Sequence, residues 1–292
     1  MTVKQPLRPA LALIAAGDAD LPRATALSRQ LGFPLLPSLT DPATCLDFDA
    51  LLVVSGVHLS LQQTTRMSAT TAPGRRQKPG RHKSGTTLPG PVAVDFGSDS
   101  MRHRRRSGHN ELLGKAVGVS GTRRPRVLDT TAGLGRDALV LADLGCSVTL
   151  CERDPVIAAL LASGLDAARA SGEDWLLQVV ARMKLFAVDA LSLDPATLAV
   201  VDVVYLDPMF PQREKSAAVK KEMAMFQALL DEDSTPGAAD QLLHWALQQD
   251  VARVVVKRPL RAPNLGRLEP SHTVAGKAVR FDVYVKRALD RD

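Results

Sequence analysis

The chain has 292 residues, of which 45% are hydrophobic and only 4% aromatic, so it can bury the core of one large domain or of a domain with a smaller lobe. No apolar run is long enough to cross a membrane, and the first residues lack the apolar region and cleavage site of a signal peptide. The three cysteines form no CxxC pair, and no Cys/His metal cluster is present. We therefore expect no metal site and a soluble, cytoplasmic protein with reduced thiols.

The positive charge is concentrated in one part of the chain. The formal net charge is +6 and the pI is about 9.4. Residues 61–126 contain 14 Lys and Arg against 3 Asp and Glu. Such a concentration is typical of a surface that binds nucleic-acid phosphates, so it indicates an anionic partner.

The first 90 residues predict a lobe followed by a linker. Residues 1–61 form a small αβ lobe in this interpretation, with strands at Leu11–Ile14 and Leu51–Val54 and a helix over Leu21–Leu31. Residues 62–90 are rich in Thr, Ser, Gly, Pro and basic side chains, which offer little apolar surface to bury. We expect a flexible basic linker or insertion there; the alternative is a solvated loop without a role.

Residues 91–292 predict one α/β domain, because strand and helix patterns alternate from Arg126 onwards. This alternation favours a mostly parallel sheet with helices on both faces. The C-terminal strands near Thr273 and Phe281–Lys286 predict an antiparallel hairpin. The other predicted strands are Val92–Phe96, Val127–Asp129, Ser147–Cys151, Lys184–Val188, Val201–Leu206 and Arg253–Lys257. The predicted helices lie near Glu111–Val117 and at Arg136–Leu144, Pro155–Ala170, Lys220–Asp231 and Ala238–Gln249.

A strand, a glycine loop and a helix follow one another at Val127–Asp137. Asp129 ends the strand, Gly133 and Gly135 allow a sharp turn close to a ligand, and Arg136 opens the helix. This geometry is typical of a pocket for a nucleoside-bearing cofactor. Asp137 lies in the first helical turn, where an acid also interacts favourably with the helix dipole.

Two further acids follow the next strands. Glu152 comes after the second strand, where a carboxylate accepts hydrogen bonds from both ribose hydroxyls; a surface pair with Arg153 is the alternative. Asp189 follows the third strand, where it can accept from an adenine amino group or cap a helix that begins near Leu191.

The fourth strand ends in Asp-Pro-Met-Phe-Pro. Asp207 and the backbone carbonyl of Pro208 can accept hydrogen bonds from an exocyclic amino group, and Phe210 can stack on a base. Amines of this kind are poor nucleophiles, so alignment with an activated methyl group is the help they need. With the glycine loop, this motif predicts a methyltransferase that uses S-adenosyl-L-methionine (SAM). The alternative for the motif alone is a turn capped by Asp207 with Phe210 in the core.

Several basic side chains are candidates for RNA phosphate contacts. They lie before the glycine loop and after the fourth and fifth strands, and ordinary solvated charges are the alternative. The candidates are Arg102, Arg104, Arg105, Arg106, Lys215, Lys257 and Arg258.

These motifs resemble a bacterial family, the ribosomal RNA small subunit methyltransferases J, which are 16S rRNA guanine-N2 methyltransferases. The resemblance covers about residues 92–286 and rests on the segments 94–96, 101–105, 131–137, 151–161, 203–211, 215–223, 254–259 and 280–284. The Asp-Pro-Met-Phe-Pro form is the most specific of them. The first 60 residues match only loosely.

The resemblance implies a class I methyltransferase fold with a mostly parallel, seven-stranded, Rossmann-like sheet. It implies SAM contacts at Arg136 and Asp137, Glu152 and Arg153, the 189–190 position and Asp207. Position 189–190 is Asp189-Ala190 here, where the family has small hydroxyl residues. The expected partner is 16S rRNA or the small ribosomal subunit.

Two other functions remain open at this point. The same motif would serve methylation of adenine N6 or of a protein amide. An RNA-binding or assembly protein with a vestigial cofactor pocket is the non-enzymatic alternative, and the presence of both Asp207 and Glu152 argues against it.

Overall fold

A computed structural model describes residues 9–70, 88–106, 109–208 and 237–289. The described residues fall into two compact units, one that ends at Val94 and one that begins at Asp95.

The first unit contains a four-stranded sheet. Strand β1 (Leu11–Ala15) pairs in parallel with β2 (Ala50–Ser55), which pairs antiparallel with β3 (His58–Gln63). A two-residue strand, β4 (Val92–Ala93), completes the sheet beside β3. Helix α1 spans Leu21–Leu31, as predicted.

Part of the predicted linker has regular structure. β3 continues to Gln63, and a short helix, α2, spans Thr65–Thr70. Residues 71–87 lie outside the described part of the chain. The predicted strand at 92–96 is shorter in the structure and belongs to the sheet of the first unit, because Val92 pairs with Leu61 of β3.

The second unit contains a seven-stranded sheet. Its strands are β5 (Val127–Asp129), β6 (Val148–Cys151), β7 (Met183–Phe186), β8 (Val203–Leu206), β9 (Arg253–Pro259), β10 (His272–Ala275) and β11 (Val279–Val285). The strand order is β10-β11-β9-β8-β5-β6-β7. β11 pairs antiparallel with both β10 and β9, and the other neighbours in this sheet pair in parallel. This confirms the predicted fold class and the C-terminal hairpin.

Helices connect and cover this sheet. They are α3 (Asp99–Arg106), α4 (His109–Val117), α5 (Arg136–Asp143), α6 (Pro155–Ala170), α7 (Asp174–Val180), α8 (Pro195–Leu198) and α9 (Ala238–Gln248). Sequence patterns predicted neither α3 nor α7. The predicted helix over 220–231 lies outside the described residues.

The strand order determines where a ligand can bind. The chain leaves β5 through α5 towards β6, whereas β8 lies on the other side of β5. In open parallel sheets, ligands bind beyond the carboxyl ends of the strands at such a reversal. The carboxyl ends of β5, β6 and β8 carry Asp129, Glu152 and Asp207, so the fold brings these predicted site residues to one edge.

Gly135 fixes how α5 leaves the sheet. It has a left-handed φ of 71°, and an added Cβ would lie 2.8 Å from Leu161 Cδ1 and 3.0 Å from Phe96 Cζ. The glycine therefore lets α5 pack closely against α6 and Phe96. The sequence suggested approach to a ligand for this residue; the structure shows a packing requirement.

We expect Gly135→Ala to lower the free energy of unfolding by about 2–4 kcal/mol, from left-handed strain together with overpacking. Gly172→Ala is the matched control, because Gly172 has a φ of 72° and open space around its Cα. For Gly172→Ala the free energy of unfolding should fall by about 1–2 kcal/mol, because left-handed strain is the only cost. Urea denaturation measures both, and equal losses would contradict the packing role of Gly135.

Candidate active site

The loop after β5 is fastened to both neighbouring strands. Thr130 donates to the Tyr205 carbonyl of β8 through its backbone N–H and its hydroxyl, each at 3.0 Å. The Ala132 N–H donates to the Cys151 carbonyl of β6 at 3.0 Å. These bonds hold the loop across the end of the sheet.

Gly133 lies at an open point of this loop. Its φ is 54°, and an added Cβ would meet only the Thr131 carbonyl oxygen, at 3.9 Å. The space beside this backbone is open, and the close approach to a ligand that the sequence suggested for Gly133 stays a prediction.

Glu152 is buried and oriented by backbone donors. Its Oε2 accepts from the Gly133 N–H at 2.8 Å and its Oε1 from the Asp154 N–H at 2.9 Å. Burial raises the pKa of this carboxyl, and the two N–H donors oppose that rise. Because a carboxylate has about four acceptor sites, each oxygen keeps a lone pair for another donor.

Asp129 is the most buried acid of the group, with 2% of its surface exposed. Its Oδ1 accepts from the Thr131 N–H at 3.1 Å. Burial raises the pKa of Asp129 to about 8, and the charges of Asp137, Asp207 and Glu152 contribute to the rise. One of these neighbouring carboxyls therefore holds a proton near neutral pH.

Asp137 is buried at the start of α5 and accepts from three side chains. Arg104 donates to Oδ1, while the Tyr205 hydroxyl and the Lys257 ammonium donate to Oδ2 at 2.7 and 2.6 Å. Burial acts to raise the pKa of Asp137, but the charges of Lys257 and Arg104 outweigh it and hold the pKa below its ordinary value. Asp137 is thus an ionised structural anchor as well as a predicted cofactor contact.

Asp207 is half-buried and held at two points. Its backbone N–H donates to the Thr131 hydroxyl at 2.7 Å, and its Oδ2 accepts from the Lys257 ammonium at 2.7 Å. Burial raises the pKa of Asp207, and Lys257 opposes that rise. Pro208 follows and is buried. The predicted stacking residue Phe210 lies outside the described residues.

The 189–190 position has a local structural role. Asp189 caps the 3-10 turn over 190–192 by accepting from the Leu191 N–H at 2.9 Å, and it lies 4.0 Å from Arg153. Ala190 is buried. The cap matches the alternative given for Asp189, whose second oxygen still leaves room for the adenine prediction. Arg136 and Arg153 are exposed.

The arginines of α3 are engaged within the protein. Arg102 donates to both carboxylate oxygens of Glu173, and Arg105 donates to both oxygens of Asp143. Both guanidinium groups lie over the Trp175 ring, at 5.4 and 4.7 Å from its centroid. Arg104 binds Asp137, and Arg106 is exposed. Of the predicted phosphate contacts in this helix, Arg102, Arg104 and Arg105 therefore already donate to acidic side chains.

Two other basic predictions meet a different geometry. The Lys257 ammonium lies on two carboxylates, and Arg258 is 3% exposed and donates to the Pro263 carbonyl. Neither presents an accessible cation of the kind that a phosphate contact needs, because successive β9 side chains point to the pocket and into the core rather than to the surface. Lys215 lies outside the described residues.

Sequence reasoning missed Tyr205 and Thr131, which contact Asp137 and the Asp207 backbone. The alternation of side chains along β8 is the signal that was available, since Tyr205 and Asp207 share one face. Among the described residues there is no group of three or more potential metal ligands, and no helix in that part is long and apolar enough to span a membrane.

The pKa of Asp129 predicts how stability depends on pH. The unfolded carboxyl titrates near 3.8 and the folded one near 8, so between these values the folded state holds the extra proton. Stability should fall as pH rises through this window, by up to about 1.4 kcal/mol per pH unit, and level off above pH 8.

Asp129→Asn keeps an acceptor for Thr131 and cannot ionise, so its unfolding free energy should decline less between about pH 5 and 8. Urea denaturation of both proteins across this range checks the expectation. Parallel pH profiles would show that Asp129 does not carry the proton.

Comparisons with known proteins agree with this geometry. A family model described as "Putative SAM-dependent methyltransferase" matches residues 59–286. The chain is 54% identical over 206 residues to the Ribosomal RNA small subunit methyltransferase J of Pseudoalteromonas atlantica, covering 67% of this chain and 77% of that protein. It is 43% identical over 287 residues to the protein of the same name from Marinobacter nauticus, covering 97% and 94%.

A solved structure extends the likeness to the fold. The SAM-dependent methyltransferase from Neisseria gonorrhoeae matches with a TM-score of 0.66 and 32% identity, over 96% of this chain and 97% of that one. Because the family model spans most of the chain and these relatives match it at this level, the protein belongs to the family of SAM-dependent methyltransferases that includes the ribosomal RNA small subunit methyltransferases J.

Proposed function

We propose that this enzyme transfers the methyl group of SAM to the exocyclic N2 of a guanine in 16S rRNA. The observation that carries the proposal is the direct bond between the two halves of the site, from the Asp207 N–H to the Thr131 hydroxyl at 2.7 Å. It joins the acceptor motif at the end of β8 to the cofactor loop after β5. The names of the curated relatives support the choice of small-subunit rRNA.

The residues at this edge fit SAM. Asp129, Asp137, Glu152 and Asp207 bring carboxyl groups to the loop, and among the described residues Lys257, Arg104 and Arg153 are cations that act on them. Carboxyl oxygens that keep free acceptor positions suit a ligand that carries hydroxyl, ammonium and sulfonium groups. When bound, SAM supplies a methyl group on positively charged sulfur.

Asp207 binds the guanine amino group, whose nitrogen receives the methyl group. Its carboxylate accepts an N–H of the guanine amino group and stabilises the positive charge that develops on N2 as the new bond forms. The Pro208 carbonyl accepts the second N–H, and Phe210 stacks on the base. Because Asp207 is held by Thr131 and Lys257, the nitrogen is aligned without a large reorganisation.

The partner is 16S rRNA or the small ribosomal subunit. The basic charge of residues 61–126 and the exposed α3 support binding to an anionic polymer. Since ribosomal subunits are assembled in the cytoplasm, the enzyme acts there.

Glu152 should contribute strongly to cofactor affinity, because its ionised carboxylate would form charge-assisted hydrogen bonds with the ribose hydroxyls. We expect Glu152→Ala to weaken SAM binding by about 2–4 kcal/mol, on the order of 30- to 1000-fold. Calorimetry measures the affinity, and Glu269→Ala, at an exposed acid of the same unit, is the control. Wild-type affinity in folded Glu152→Ala would remove the ribose assignment.

Transfer of labelled methyl groups to small ribosomal subunits and to free 16S rRNA tests the whole proposal. The wild-type enzyme should give N2-methylguanosine in the nucleoside digest. Asp207→Ala should lower the single-turnover rate by about 10²–10³ while RNA affinity changes little, because the lost contact matters most in the transition state.

Asp250→Ala is the control for this variant, since Asp250 is exposed at the opposite edge of the sheet. A near wild-type rate for folded, SAM-bound Asp207→Ala would refute the site. N6-methyladenosine as the product, or label in protein, would keep the site and replace the substrate.

A further inference from the structure

Lys257 occupies the centre of the site, although its sequence position suggested a surface role. The register of β8 and β9 pairs Leu206 with Val256, so Lys257 lies beside Asp207 one step further along. Its ammonium is 2.7 Å from Asp207 Oδ2 and 2.6 Å from Asp137 Oδ2, and its side chain is 21% exposed.

We propose that Lys257 is a positioning residue whose ammonium group holds Asp207 Oδ2 and thereby leaves Oδ1 directed at the substrate amino group. The inference rests on the proposed function, in which Asp207 is the acceptor of that group.

The geometry supports this role because Lys257 is itself anchored. Asp137 holds the ammonium, and Asp137 is fixed in turn by the Tyr205 hydroxyl and by Arg104. Asp207 is also fixed through its backbone by Thr131. With one oxygen and the backbone both restrained, the carboxylate plane has little freedom, which is the preorganisation that alignment of a weak nucleophile requires.

Lys257 also determines the charge of the acceptor. Among the described residues, the titratable groups that face Asp207 are Asp129 from β5, Tyr205 from β8, Asp137 from α5, Arg104 from α3 and Lys257 from β9. Burial raises the pKa of Asp207, and the charge of Asp137 adds to this rise. Lys257 and Arg104 oppose it, and Lys257 lowers the pKa more than Arg104 does. Without the ammonium, Asp207 would be protonated up to a higher pH, and the protonated acid is a poorer acceptor.

The test compares wild type with Lys257→Met, which removes the charge, and with Lys257→Arg, which keeps it. Single-turnover methyl transfer to small subunits is measured between about pH 5.5 and 9. For Lys257→Met we expect the acidic limb of the rate profile to move up by about one pH unit or more, with RNA affinity changed less than about threefold. Lys257→Arg should keep the limb near its wild-type position. Lys286→Met is the control, because Lys286 is exposed at the amino end of the sheet.

A measurement without cofactor or RNA gives an independent readout. The ¹³C carboxyl resonance of Asp207, assigned by its loss in Asp207→Ala, should titrate at higher pH in Lys257→Met than in wild type. If Lys257→Met fails to fold, Lys257→Gln replaces it, since it can still donate to Asp207 without a charge and should show the same shift.

The outcomes separate this inference from the proposed function. A loss of rate that is equal at every pH, with an unchanged Asp207 titration, would reduce Lys257 to a packing residue while Asp207→Ala remained defective. A near wild-type rate for Asp207→Ala would instead remove the proposed function and this inference with it.

Discussion

The site depends on how a sheet edge accommodates several carboxylates in a small volume. Buried like charges raise one another's pKa, and uncompensated ionisation is unfavourable. Two solutions appear side by side. Asp137 and Asp207 share the Lys257 ammonium, whereas Asp129, which accepts from the Thr131 N–H, has a pKa of about 8. The carboxyl oxygens that remain free to accept make the pocket complementary to a cofactor with hydroxyl and ammonium groups.

The sheet makes this arrangement with few residues. Parallel strands in register present side chains on the same face at the same height, so Asp129 lies opposite Tyr205, which lies opposite Val255. Two residues further along, Asp207 and Lys257 meet in the same way. The buried core on the other face, where α9 covers β8 and β9, keeps this register fixed.

Local signals predicted much of the fold and less of the site. Helix α6 has the predicted bounds because Asp154 caps it through the Val156 and Ile157 N–H groups and Pro155 opens it. Lys257 was predicted to contact phosphate because it follows the fifth strand. Its actual partners, Asp207 and Asp137, lie 50 and 120 residues away in the sequence. No local sequence pattern shows which strand lies beside β9. The register between β9 and that neighbour determines whether Lys257 contacts carboxylates or solvent.

The same limit applies to α3, whose arginines were predicted to contact RNA phosphates. Arg104 reaches a carboxylate that is 9% exposed, so replacing this partner by a phosphate would leave Asp137 with one cation fewer in a buried position. Arg102 and Arg105 pair at the surface, where ion pairs contribute little and exchange readily with other anions. In α3, Arg104 therefore contributes its charge to the cofactor pocket, whereas Arg102 and Arg105 contribute theirs to the protein surface. An RNA phosphate can compete for Arg102 and Arg105 at small loss, whereas Arg104 stays with the pocket.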